Sequence, residues 1–115
     1  MQTAFSFGVR EGEMASSRMA LQHILCQLTK VGGITHRPMH GEYVLYCRGK
    51  RFGGIYGDRL FVVPTPAAER YLPDAPRKIP CAGVREMLLV ERTDDPSALQ
   101  RLIEAMLPEL PDSSQ

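Results

Sequence analysis

Apolar residues recur at Leu21, Ile24, Leu25 and Leu28, a spacing of three, four and seven, and the pattern from 34 to 64 then changes to short β-branched and aromatic runs broken by glycine. The first spacing lines one side of a helix, and the second marks a series of antiparallel strands. Ser16 or Ser17 supplies an N-cap for the helix, which is expected to run to about Lys30, ahead of Gly32-Gly33. Strands are expected over 34–39, 43–47, 51–56 and 59–63, with hairpin turns at Arg48-Gly49-Lys50 and Gly57-Asp58. Thr65-Pro66 opens a helix of one or two turns that stops before Pro73, because proline at the first helical position gives up no needed donor. The proline-rich stretch 73–81 reads as a loop that touches an edge strand, and 85–91 as a further strand. Asp95-Pro96 starts a last helix whose buried stripe is Leu99, Leu102, Ile103, Met106 and Leu107, and Pro108 ends it.

These elements predict an α+β domain over residues 14–110: an antiparallel β-meander sheet of about five strands with an N-terminal helix, a short middle helix and a C-terminal helix. Residues 1–13 show neither period and read as a disordered extension or a mis-assigned start. Translation from Met14 is the sharper form of that reading, since Arg10-Glu11-Gly12-Glu13 can be encoded by purine-rich codons like a ribosome-binding site. Residues 111–115 read as a frayed tail. The strands are apolar in both phases, Tyr43 and Leu45 against Val44 and Tyr46, or Met87 and Leu89 against Leu88 and Val90. A sheet with one wet face alternates. Two long helices and a short one cover about one face, so the second is expected to pack on something, a symmetric homodimer partner or the chain's own edge loops.

Fourteen basic and thirteen acidic residues give a formal net charge of +1, which does not favour the phosphate neutralisation that direct nucleic-acid binding needs. No run approaches the 18 apolar residues of a membrane span, and the three cysteines, Cys26, Cys47 and Cys81, form no Cys-x-x-Cys pair. The reading is a cytoplasmic protein with reduced, mostly buried thiols, not bound to membrane.

The run Arg37-Pro38-Met39-His40-Gly41-Glu42-Tyr43-Val44-Leu45-Tyr46, then Gly49, then Phe52-Gly53-Gly54-Ile55-Tyr56 and the hairpin to Leu60, resembles the arginine-methionine-x-glycine-x-tyrosine signature of the N-terminal domain of the TfoX/Sxy competence-regulator family. Met14-Ala15-Ser16-Ser17, Leu88-Leu89-Val90-Glu91 and the final helix follow in that family's order. The chain has His40 where the family commonly has an aromatic residue or methionine, and Glu42 where it often has glycine. The resemblance implies an antiparallel sheet flanked by helices and a role in bacterial transcription regulation linked to competence. Full-length members of the family work with the cyclic-AMP receptor protein and carry a further helical C-terminal domain, so this chain is expected to be a stand-alone version.

Candidate chemistry is sparse. His36 and His40 on one strand would stand about 13 Å apart, too far to share a metal. The cysteines and histidines carry no signature that joins a nucleophile to a base. Gly53-Gly54-Ile55-Tyr56-Gly57 lacks the lysine and the following helix of a phosphate loop. Glu86, Glu91, Asp94 and Asp95 bound a strand and cap a helix. Met39, Tyr43 and Tyr46 line either a binding surface or the core. We therefore expect no catalytic residue, metal or cofactor, and a regulatory or adaptor domain acting by protein contact. Its expected partner surface is Arg37, Met39, His40 and Glu42, and its partner a second copy or a transcription-machinery protein. The alternative is a small-molecule or nucleic-acid binding module, using a sheet-face pocket or the basic turn of Arg48, Lys50 and Arg51.

Overall fold

In the computed structural model, which describes residues 17–81 and 83–111, helix α1 (Arg18–Gln27) opens on Ser17, whose hydroxyl accepts the Ala20 N–H at 3.0 Å. The same device starts both later helices. Thr65 caps α2 (Pro66–Tyr71) through Ala68 N–H, and Asp95 caps α3 (Pro96–Met106) through Ala98 N–H, each at 3.1 Å with proline following. Between α1 and α2 lie β1 (Ile34–Met39), β2 (Glu42–Cys47), β3 (Lys50–Tyr56) and β4 (Arg59–Val62). Their three loops have two residues each, all with positive φ: His40-Gly41, Arg48-Gly49 and Gly57-Asp58. That is the loop whose twist matches antiparallel strands, so register follows directly from the turns.

The sheet has six strands, β1-β2-β3-β4-β6-β5, every pair antiparallel. The expectation of about five falls one short, because Arg77 and Lys78 in the proline-rich stretch pair with Leu88 and Met87 as β5 (Arg77–Lys78). Strand β6 (Met87–Val90) is shorter than the apolar run suggested, and α3 ends in a 3₁₀ turn over Leu107–Glu109. The expectations for residues 1–13 and for 112–115 lie outside the described residues.

All three helices pack on one face. Leu21, Ile24 and Leu28 of the first helical segment and Leu99, Leu102, Ile103 and Met106 of α3 bury against Leu45, Cys47, Phe52, Ile55, Leu60, Val62, Leu88 and Val90. Each such side chain contributes roughly 1.5–3 kcal/mol on removal from water. On the other face Tyr56, Phe61, Met87 and Leu89 form a second buried cluster, with Val63, Cys81 and Val84 against it. Strands β4 and β6 are apolar in both phases because both of their faces are covered by this one chain. A second copy is not required to cover them. Only Cys47 of the three thiols is buried; Cys26 is exposed, off the Leu21-Ile24-Leu28 stripe, and Cys81 is half-buried.

Strand β3 packs closely on β4 at Gly53. A Cβ on Gly53 would collide with the Phe61 carbonyl oxygen and reach 3.0 Å from Val62 Cα, whereas one on Gly32 would meet nothing within 4 Å. Gly53→Ala is expected to lower stability by about 3 kcal/mol, and Gly32→Ala by less than about 0.5 kcal/mol, read from urea unfolding midpoints.

Candidate functional site

Opposite residues of paired strands share a face, and the pairing places two arginines together. Arg37 on β1 stands across from Val44, and Tyr46 stands across from Arg51 on β3. The Arg37 guanidinium carbon lies 5.9 Å from the centre of the Tyr46 ring, a cation–π distance. Tyr46 thus sits between two cations on the face away from the helices. Val44, in the same row as Arg37, is only 4 % exposed. Met39, across from Glu42, adds apolar surface and is 38 % exposed.

Arg51 reaches this face through an irregularity in the sheet. Leu45 pairs with Gly53 and Tyr46 with Arg51, so Phe52 is the extra residue of a β-bulge. Phe52 joins the helix-side core, and Arg51 is turned to the opposite side, beside Tyr56. The Tyr56 ring lies over Gly54, where a Cβ would stand 2.6 Å from Cε2, and meets Phe61 edge-on at 5.9 Å. Burial pushes the Tyr56 hydroxyl above its ordinary pKa, with the charge of the nearby Arg51 opposing, and the buried hydroxyl makes no hydrogen bond among the described residues. The hydroxyl stays protonated at neutral pH, with Arg51 close by.

The expected partner surface divides. Arg37, Met39 and His40 are exposed, whereas Glu42 is 7 % exposed and its carboxylate accepts the Gly57 N–H at 3.2 Å. Glu42 therefore joins β2 to the β3–β4 turn and serves the fold. His40 occupies a turn at φ 53°, a conformation in which histidine is among the enriched residues. The basic turn divides as well. Arg48 is exposed in the loop, and Lys50 donates to the Leu107 carbonyl at 3.1 Å, where a cation satisfies the end of α3. Arg51 belongs to the far face, so the three do not form one phosphate-binding patch. His36 packs edge-on to Tyr43 at 6.0 Å, and among the described residues no three His, Cys, Asp or Glu side chains gather to hold a metal.

No family model, no curated protein and no solved structure matches the chain. The likeness to TfoX N-terminal domains thus rests on the segments quoted above. Among the described residues no helix is long and apolar enough to cross a membrane. The juxtaposition of Arg37, Tyr46 and Arg51 was hidden in the sequence, because strict alternation along β3 puts Arg51 on the side of Gly53 and Ile55. A pair of guanidiniums around an aromatic ring can grip carboxylates in bidentate fashion and stack flat groups.

The Cys47 thiol donates to the Gly32 carbonyl at 3.4 Å, and burial raises its pKa while Arg48 pulls it down. Alkylation is expected to mark Cys26 first, Cys81 more slowly and Cys47 only on unfolding, as peptide mass spectrometry would show. Cys47 and Tyr56 both hold their protons more tightly when folded, and the unfolded chain ionises first, from ordinary values of 9.0 and 10.0. Their contribution to stability is therefore complete below the thiol value and is lost as pH climbs through the folded ones. Urea midpoints at about pH 7 and about pH 10.5 should show the fall.

Proposed function

We propose that this chain is a non-catalytic regulatory or adaptor domain of the TfoX N-terminal type, which holds an acidic segment of a partner protein on the open half of its second sheet face. The observation that carries the reading is the placement of Arg37 and Arg51 on either side of Tyr46, on the face away from the helices. Arginine and tyrosine are the side chains that most often dominate contact energies, since each presents a large, flat, partly apolar surface with hydrogen-bonding capacity. Glu42, an acid on the same face, is buried and accepts the Gly57 N–H. The near balance of charge, +1 overall, favours a short acidic protein segment over a long polyanion. The partner class is the one the resemblance implies, a protein of the transcription machinery.

Tagged full-length chain, recovered from its own cells, tests this. Wild type and Arg101→Glu, an exposed change on α3, are expected to bring down the same transcription protein, and Arg37→Glu to lose it. Loss of one central arginine contact is expected to cost about 2 kcal/mol, roughly 30-fold in Kd. Undiminished capture by Arg37→Glu, or recovery of nothing except the chain's own copies, overturns the reading.

A further inference from the structure

A cavity of about 630 Å³ lies beside this face, bounded by Val63, Val84, Met87 and Leu110 together with Arg51 and Arg85. Its volume falls within the range of small-molecule sites, which are mostly apolar with a few polar groups that fix orientation. The charged groups here are Arg51, Arg85 and Glu86, with the arginines in excess. Arg51 comes from β3, turned to this side by the bulge. Arg85 comes from the loop before β6, is exposed, and makes no hydrogen bond or ion pair among the described residues. Glu86 also borders the cavity; its carboxylate lies 3.6 Å from the Arg77 guanidinium, which Glu69 approaches more closely at 2.6 Å, so two arginines face one carboxylate at the lining.

We infer that this cavity is a binding site for a small apolar monocarboxylate, a medium-chain aliphatic or arylalkyl acid. The carboxylate is held by the Arg85 fork with Arg51 adding positive potential, and the stem lies against Val63, Val84, Met87 and Leu110. An arginine fork matches the two carboxylate oxygens, and a bond to an ionised group is about twice as strong as a neutral one. The apolar walls reject a hydrated inorganic anion, which has nothing to place against them.

Octanoate titrated into the full chain, followed by amide NMR, tests the assignment. The expected result is a saturable shift of the amides over 83–87, with octanoate binding about tenfold tighter than octan-1-ol, whose hydroxyl cannot take the bidentate contact. Arg85→Gln, at an exposed position without partners among the described residues, is expected to fold normally and to erase that preference. Arg37→Glu is expected to leave it intact, so loss of partner capture and loss of acid binding are separable. Equal affinity for octan-1-ol, undiminished octanoate binding by Arg85→Gln, or absence of saturation overturns the site. Tighter binding of a short peptide ending in a free leucine carboxylate would overturn the small acid as the ligand.

Discussion

The missing side chains at Gly53 and Gly54 set the geometry on which the two faces of the sheet depend. Gly53 lets the β4 backbone at Phe61 and Val62 approach where any Cβ would collide, and Gly54 leaves room for the Tyr56 ring to fold back over its own strand. Phe52 sits immediately before them as the extra residue of the bulge. With strict alternation, Arg51 would share the side of Gly53 and Ile55 and place a guanidinium in the helix-side core, at a desolvation cost of several kcal/mol. The bulge sends Phe52 inward in its place. One irregular step in β3 therefore fills the core and delivers a cation to the opposite surface.

Long-range polar ties then fasten the ends of elements to this strand and its neighbours. The Ser17 N–H donates to Asp58 in the β3–β4 turn at 2.6 Å, and Gly57 of the same turn donates to Glu42. Lys50, at the start of β3, holds the end of α3, while Glu109 beyond that end accepts the Ala67 N–H of α2 at 2.9 Å. Helix termini leave donors and acceptors that must find partners, and these contacts supply them across 40 or more residues of chain in three of the four cases. The helices are thereby indexed to the sheet at their ends, and the apolar stripes fix their middles.

The features legible in sequence were those set by neighbouring residues. Ser17, Thr65 and Asp95 announced helix starts because capping is local, and Leu99, Leu102, Ile103 and Met106 announced a buried stripe because helical spacing repeats. The turns at Arg48-Gly49 and Gly57-Asp58 were legible for the same reason. What depended on distant chain was not. Arg77 and Lys78 carry no strand signal and pair only because β6 offers them an edge. The side taken by Arg51 depended on an extra residue whose presence shows only once β2 is laid beside β3. Arg37 was named from its motif, but its neighbour across Tyr46 came from a different candidate set.

An uncovered half of a sheet is compatible with a stable single chain when its exposed groups are amphipathic. Arginine and tyrosine lay apolar stems and rings over the strands while their polar ends remain in water. Val44 is accordingly almost inaccessible although no helix covers it. The same property suits the face to a reversible contact. The guanidinium and the ring of Arg37 and Tyr46 are already in mutual register, so the acidic segment proposed as partner would meet groups whose conformational entropy is partly spent. The covered half contributes rigidity through the Tyr56–Phe61 pair and the packing of Cys81 and Val84 against it, and Arg51 stands where the two halves meet.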